Sequence, residues 1–456
     1  DMHVYYELAD YFTFEVPGAK FMPTYKNKYW DGKIRLFNIQ NNQIYVGLLD
    51  KVVQFCKDHE YTYEFVKSKF YGLPFEENPT ISKEGVKDYI TSISKYKPRD
   101  YQIDGIYDAL KYNRKLLISP TASGKSLMIY GIVRYFVERK QNTLIVVPTP
   151  SLVEQMYKDF EDYSWKAEDY VQRKYYGYDI DEDKPVVVST WQSLATFDKK
   201  WFEKFDCVIG DEAHLYKSKE LQKIMGNLVN ANFRIGTTGT LDDSKVHKLV
   251  LEGLFGPVTH VTTTKELIDK KQLADLKIQC VVLKYPKEEA IQVKNLKYQE
   301  EMDYIVSHEK RNYFIKNLTK DQTGNTLVLF QYVEKHGRVL QELIEKKVED
   351  GRKVFFVFGG VTADDREQIR AITEKSDNAI IIASYGTFST GINIRNLHNI
   401  IFSSPSKSRI RNLQSIGRGL RLGDKKVNAT LYDISDDVAY GEKENYTLQH
   451  LSLIHI

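Results

Sequence analysis

Cysteine is scarce in this chain of 456 residues: there are three, Cys56, Cys207 and Cys280, far apart and flanked by apolar residues. That count and spacing argue against a disulfide framework and a zinc site, and reduced core thiols in a cytoplasmic protein are expected. Long hydrophobic runs are missing too. No stretch approaches the ~20 apolar residues of a membrane span, and no charged-then-apolar signal segment opens the chain. No membrane partner is therefore expected. Asp1 stands first instead of Met, so a processed or trimmed N-terminus is expected. Charge of one sign is also lacking. A net charge of +3 is too small to announce nucleic-acid binding, and local clusters must carry that case. With no low-complexity tract, 42% hydrophobic and 28% charged residues, the chain reads as an ordinary globular protein of two to four domains.

What is present is a loop. The apolar run Leu116-Leu117-Ile118 leads into Ser119-Pro120-Thr121-Ala122-Ser123, and Gly124-Lys125-Ser126 opens an amphipathic run over residues 127–133. A strand feeding a loop that opens a helix is the context a phosphate cradle needs. Backbone N–H groups of Thr121, Ala122, Ser123 and Gly124 would wrap phosphates, Lys125 would reach the β/γ oxygens, and the Ser126 hydroxyl would take Mg²⁺. Ser119 stands where the usual G-x-x-x-x-G-K-[ST] pattern has its first glycine. Alone, the loop reads equally as a glycine-containing turn at a helix start.

Residues 1–95 read as a small α+β module with a connector. Phe12-Thr13-Phe14-Glu15-Val16 alternates like a strand and stops at Pro17-Gly18. Between residues 21 and 35 cations alternate with aromatics, and Trp30-Asp31-Gly32 divides two candidate strands. Two readings stay open. One is a nucleic-acid face, with Lys20, Lys26, Lys28, Lys33 and Arg35 on phosphates and Tyr25, Tyr29 or Trp30 stacking. The other is a module whose aromatics are core and whose lysines are solvated. Residues 68–96, polar and containing Pro74 and Pro79, read as the connector.

From residue 96 to 262 strands alternate with helices, the signature of a parallel α/β sheet. The candidate strands are 116–118, 144–147, 186–188, 207–209 and 234–236. Residues 262–285 read as a polar, helix-like bridge. A second α/β set fills residues 263–440, with candidate strands 326–330, 354–358, 379–383, 400–403 and 430–434 and no phosphate loop of its own; 441–456 form a tail.

The second decisive stretch is Asp206-Cys207-Val208-Ile209-Gly210-Asp211-Glu212-Ala213-His214, about 85 residues beyond the loop. An apolar strand ending in two carboxylates places both at the carboxyl edge of the sheet, beside the phosphate loop. Asp211 would hold Mg²⁺, directly or through water. Glu212 would orient and deprotonate the water attacking a γ-phosphate.

Here the chain resembles the superfamily 2 helicases and translocases of the Asp-Glu-x-His type, from Pro98 to about Ser435. Pro98-Arg99-Asp100-Tyr101-Gln102 resembles the segment whose glutamine, here Gln102, reads adenine. Val147-Pro148-Thr149-Pro150-Ser151-Leu152 and Ser189-Thr190-Trp191-Gln192-Ser193-Leu194 resemble strand-contacting motifs, which implies that Pro148, Thr149, Thr190, Trp191 and Gln192 touch nucleic acid. Thr238-Gly239-Thr240, with Gly where the family has Ala, resembles the motif that couples ATP to strand movement, together with His214. The stretch 384–393 resembles a motif that would put Thr387 on nucleic acid and Gly391 at the nucleotide, with Asn393 where the family often has Asp. Gln414-Ser415-Ile416-Gly417-Arg418-Gly419-Leu420-Arg421 resembles Q-x-x-G-R-x-x-R. One helical turn puts Gln414, Arg418 and Arg421 on a shared face, from which the arginines would reach a γ-phosphate bound on the first α/β domain. Lys407, Arg409, Arg411, Lys425 and Lys426 flank that motif, as DNA contacts or as a solvated face.

Within the superfamily the chain is most similar to phage recombination and repair helicases. The similarity rests on Phe21-Met22-Pro23, Trp30-Asp31-Gly32, Arg35-Leu36, Tyr298-Gln299-Glu300-Glu301, Arg311-Asn312 and 383–392. It implies two tandem RecA-like parallel-sheet motor domains behind a small α+β domain, with ATP and Mg²⁺ as cofactors. It further implies action on branched or forked DNA (D-loops, R-loops, replication forks, Holliday junctions), tracking 3′ to 5′; a monomer in the host cytoplasm is expected. Recombination or replication proteins would be its partners. The 48 lysines against 17 arginines suit an AT-rich phage source. The alternatives are a double-strand translocase or restriction-type motor, an RNA–DNA hybrid or RNA helicase, and a binding or annealing protein with a dead motor. Intact Lys125, Glu212, Arg418 and Arg421 argue against the last, and residues 1–95 show no nuclease-like carboxylate–lysine cluster.

Overall fold

The computed structural model describes every residue except 1, 17, 66–77, 179–182, 242–243, 347–350, 392–393, 395, 407–411, 413–414, 418–419, 421–427, 442–444 and 449–456. Two compact units divide the chain, Asp1–Thr263 and Thr264–Ile456.

The first unit is organised by a seven-stranded sheet. Its order is Val258–His260, Arg114–Ile118, Phe233–Thr238, Cys207–Asp211, Thr143–Val147, Val186–Thr190 and Val171–Lys174, and every neighbouring pair is parallel. Period-two alternation assigns the side chains to two cores. Leu117, Ile145, Val188 and Ile209 face one core with Ile103, Met128 and Phe136 from helices Asp100–Lys111 and Lys125–Glu138. Leu116, Leu144, Val187 and Val208 face the other, with Tyr216 and Phe255. Burial on both faces is why these strands read as unbroken apolar runs.

The small N-terminal α+β domain closes that second face. Thr13–Glu15 pairs antiparallel with Lys33–Arg35, helices Met2–Tyr11 and Leu49–Asp58 flank the pair, and Leu8, Phe12, Leu36, Phe37, Leu48 and Phe55 join the sheet's core. Gly47 permits the approach: a Cβ there would sit 2.1 Å from the Glu252 carbonyl oxygen. The first of the two candidate strands before Trp30 is instead the helical turn Pro23–Lys26, with Pro23 in its first turn, where the fixed proline φ favours a helix start. The connector also holds a helix. Lys83–Ile93 is capped by Ser82, whose side chain accepts from Gly85 N at 3.1 Å, and it buries Val86 and Ile90 in the first core.

The second unit carries a six-stranded parallel sheet: Asp275–Lys284, Asn428–Asp437, Asn399–Phe402, Thr326–Phe330, Ile380–Ser384 and Val354–Val357. Part of the stretch read as a bridge is thus a strand. Asp275–Lys284 pairs along its length with Asn428–Asp437 but lies at the sheet edge and leaves alternate residues exposed, so its sequence looks polar. Cys280 stands on it and is exposed, while Cys207 is buried and Cys56 half-buried. The expectation of three core thiols is corrected at Cys280. Among the described residues no helix is long and apolar enough to cross a membrane.

Candidate active site

Parallel pairing brings five polar segments to one edge of the first sheet. Thr238 lies opposite Ile118, Thr237 opposite Asp211, and Val147 opposite Thr190. The residues that follow these strand ends are the phosphate-type loop, Glu212-Ala213-His214, Gly239-Thr240, Pro148-Thr149 and Trp191-Gln192.

The loop is built by its own side chains. Ser119 keeps a negative φ, so no glycine is required there. Its buried hydroxyl donates to Ser123 Oγ at 2.6 Å, and its N–H donates to Thr238 O at 2.9 Å. Ala122 and Gly124 take left-handed φ values of 69° and 81°, and a Cβ on Gly124 would meet Gln102 Nε2 at 2.3 Å. Gln102 is buried and braces the loop. Its Nε2 donates to Ser123 O at 2.9 Å, and its Oε1 accepts from Arg99 N at 2.9 Å. Helix Lys125–Glu138 starts directly after Gly124, which aims its N-terminal N–H groups and positive dipole end at the loop. Thr121 borders the Thr238-Gly239-Thr240 segment: a Cβ on Gly239 would lie 3.6 Å from Thr121 N and from Lys125 Nζ.

Around Lys125 the polar groups converge. Lys125 Nζ is 3.7 Å from Glu212 Oε1, and His214 Nδ1 is 3.3 Å from Glu212 Oε2. His214 Nδ1 also lies 3.0 Å from Thr238 Oγ1, which donates to Thr240 O at 3.0 Å. Thr237 Oγ1 donates to Asp211 Oδ1 at 2.8 Å. Burial pushes the Asp211 carboxyl above its ordinary value, and the Lys125 ammonium and Thr237 oppose that rise. Glu212 holds φ 50° and ψ 50°, a left-handed conformation costing about 1–3 kcal/mol for a non-glycine residue.

The oxygens available here fit Mg²⁺: a serine hydroxyl at Ser126 and a carboxylate at Asp211. One or two protein oxygens suffice for Mg²⁺, which takes its remaining ligands from phosphates and water.

Other predicted residues are placed differently. Thr149 caps helix Pro150–Asp162, its Oγ1 accepting from Leu152 N at 3.4 Å. Thr190 Oγ1 donates to Ser193 Oγ at 3.2 Å. Trp191 packs against the second core, whereas Gln192 is exposed. In the N-terminal domain Lys26 and Lys28 are exposed. Arg35 is engaged with Asp31, Nη2 to Oδ2 at 2.5 Å, and that guanidinium holds the Asp31 carboxyl at about 2. In the second unit Thr387 is buried and accepts from Ser384 Oγ at 2.8 Å; Gly391 ends helix Tyr385–Gly391. Gln414, Arg418, Arg421, Asn393 and the basic residues 407, 409, 411, 425 and 426 lie outside the described residues.

Two groups escaped the sequence reading. Thr237, which bonds Asp211, was signalled by its place one residue before Thr238. Tyr163, whose hydroxyl lies 2.7 Å from Ser126 Oγ, had no signal, because 37 residues separate the pair. Burial raises the Tyr163 pKa, so its hydroxyl keeps its proton.

Comparison with known proteins adds relatives to this geometry. Residues 1–66 match the family model "DNA helicase UvsW, N-terminal", 95–243 match "Type III restriction enzyme, res subunit", and 309–423 match "Helicase conserved C-terminal domain". The chain is 33% identical over 472 aligned residues to the ATP-dependent DNA helicase uvsW of Enterobacteria phage T4, covering 98% of this chain and 91% of that one. It is 27% identical to the DNA 3'-5' translocase XPB2 of Sulfurisphaera tokodaii over 73% of this chain and 80% of that one. The crystal structure of T4 UvsW superimposes with a TM-score of 0.52 at 31% identity, covering 100% of this chain and 93% of that one.

Proposed function

The chain belongs to the UvsW family of superfamily 2 helicases, and from that premise we propose that it is an ATP-driven DNA helicase that remodels branched DNA in recombination, repair and replication. The observation that carries the motor reading is the convergence of Lys125, Glu212, His214 and Thr238 within hydrogen-bond or ion-pair reach at one sheet edge.

In this reading Lys125 and the backbone amides of the loop bind the β- and γ-phosphates of ATP. Ser126 and Asp211 would hold Mg²⁺, which when bound neutralises charge on the phosphate oxygens. Glu212 orients the attacking water and takes its proton, positioned between Lys125 and His214. His214 passes a change at Glu212 to Thr238, and hence to the Thr238-Gly239-Thr240 segment that borders Thr121. Gln102 sets the shape of the loop from beneath, and adenine recognition by its amide would require exchanging one of its present bonds. Gln192, Pro148 and Thr149 contact the strand on the first unit, with Lys26 and Lys28 adding phosphate contacts. Such binding is tolerant of sequence and sensitive to salt.

The test is ATP hydrolysis with single-stranded, duplex and forked DNA, followed by gel analysis of D-loop, R-loop and Holliday-junction unwinding. Stimulation by forked DNA with strand separation is expected. Stimulation by duplex DNA without any strand separation would favour a double-strand translocase, a reading that the match of residues 95–243 to a restriction-enzyme motor keeps in view.

A further inference from the structure

Helix Pro150–Asp162 has an end in each of two functional regions. Its N-cap is Thr149, in the segment assigned above to the nucleic-acid strand, and its C-cap is Tyr163. From that C-cap the Tyr163 side chain reaches the phosphate loop, 2.7 Å from Ser126 Oγ. Its placement is over-determined. The ring packs on Tyr130 and Tyr96 at centroid distances of 5.2 and 5.9 Å. The Tyr163 N–H donates to Asp159 O at 3.0 Å. Tyr130 OH is itself fixed by donating to Ile93 O at 2.7 Å.

A serine hydroxyl has one proton and two lone pairs. To serve a cation with a lone pair it must send its proton to an acceptor on another side, and an acceptor held rigidly selects one rotamer. Among the described residues, Tyr163 OH is the hydrogen-bond partner of Ser126 Oγ.

We propose that Tyr163 is a positioning residue for Ser126: its hydroxyl oxygen accepts a hydrogen bond from the Ser126 O–H, which turns an Oγ lone pair toward the divalent cation that accompanies the nucleotide. Because Tyr163 caps the helix that begins at Thr149, a strand that shifts this helix resets the Ser126 rotamer, and strand occupancy becomes a determinant of cation-dependent nucleotide affinity. The proposal rests on the ATP-site reading given above.

The experiment measures binding of N-methylanthraniloyl-ATP by fluorescence to the full chain, with MgCl₂ and separately with EDTA. Tyr163→Phe keeps the ring and removes the hydroxyl. One lost hydrogen bond should weaken Mg²⁺-dependent binding by about 3- to 10-fold and leave binding in EDTA unchanged. In a Ser126→Ala background the same change should have no further effect. Tyr163→His, a planar ring that again offers an acceptor, should recover part of the affinity, which a purely structural role would not produce. Saturating single-stranded DNA should shift the Mg²⁺-dependent affinity of the wild type, and by less in Tyr163→Phe. Equal losses with Mg²⁺ and EDTA, no loss in either, or a full DNA-induced shift in Tyr163→Phe would overturn the proposal while the ATP site stands. A wild-type chain with no Mg²⁺-dependent nucleotide binding would overturn both. Thermal melting of each variant separates these outcomes from misfolding, and the Tyr163→His result keeps the test decisive if Tyr163→Phe melts early.

Discussion

The two parallel sheets are built alike and used differently. At the carboxyl edge of the first, charged groups are close but reachable: Lys125 and Glu212 expose 16% and 18% of their side chains at a separation of 3.7 Å. At the same edge of the second sheet, charge is sealed and paired. Arg311 Nε donates to Asp436 Oδ1 at 2.7 Å, and Nη2 donates to Oδ2 at 3.0 Å, with exposures of 1% and 0%. His336 lies 2.8 Å from Ser404 Oγ and 3.2 Å from Asn312 Oδ1, and burial beside Arg311 holds its pKa well below the imidazole range, so it is neutral. Ser404 also accepts from Gln331 N through Oγ and from Tyr385 OH through its carbonyl. The first edge is therefore arranged to meet a ligand. The second is a frame that fixes strand ends, including Ser384 and Tyr385 next to Thr387.

Substitutions at the two edges should fail in opposite ways. Lys125→Ala should lower DNA-stimulated ATP hydrolysis by about 100-fold or more, since a charge preorganised for the transferred phosphoryl group is lost. Its melting temperature and DNA binding should stay near those of the wild type; retained turnover would remove the motor assignment. Arg311→Met, by contrast, leaves Asp436 buried without its cation. A loss of about 3–5 kcal/mol is expected for breaking such a pair, read as early unfolding of the second unit by calorimetry while nucleotide binding at Lys125 persists. Lost turnover with unchanged melting would break the comparison, because it would make Arg311 a reactive group instead of part of the frame.

Asp433 sharpens the contrast through pH. Burial raises its carboxyl to about 6, and Oδ2 is buried without a hydrogen-bond partner among the described residues. The folded pKa lies above the unfolded value of 3.8, so the folded protein binds the proton more tightly. The resulting stability is complete below pH 4 and disappears as pH rises through 6. Asp433→Asn should therefore stabilise the second unit near pH 7, by up to about 3 kcal/mol for a two-unit shift, and flatten the fall in melting temperature between pH 4 and 6. An unchanged pH profile would show that Asp433 is solvated when charged.

What could be read from the sequence follows the same division between buried and exposed. Strands 143–147, 186–190, 207–211 and 326–330 announce themselves because both faces are buried, which makes them continuous apolar runs. Polar edge strands are silent, whereas the apolar edge strand Val354–Val357 is legible. Val171-Gln172-Arg173-Lys174 and Asp275–Lys284 each pair on one side only and carry polar residues that mask the pattern. Helix Lys83–Ile93 buries only Val86 and Ile90, too few to lift it out of a polar stretch. At the site, Lys125, Asp211, Glu212, His214 and Thr238 were legible because each sits in a short local pattern beside a strand end. Trp191 was legible as a motif residue but not as one half inside the core. Tyr163 belongs to no pattern, and only the folding back of helix Pro150–Asp162 brings it to Ser126.

The smallest effects come from single polar side chains, and they test the comparison most finely. Thr387 is buried with its hydroxyl committed to Ser384, so Thr387→Val should cost about 1 kcal/mol of stability in the second unit. Gln192 follows the end of strand Val186–Thr190 and is exposed, so Gln192→Ala removes no packed group and should leave melting unchanged. If Gln192 meets a strand, its amide contributes one contact among many dominated by phosphates, and the dissociation constant for single-stranded DNA should rise by about 2- to 5-fold. A neutral amide displaces no counterion, so the slope of log affinity against log salt should not change. A changed slope would mean that Gln192→Ala had disturbed a neighbouring cation. A drop in melting temperature would mean that even the exposed edge of the first sheet is part of a frame, and the distinction between the two sheets would fail at its most accessible residue.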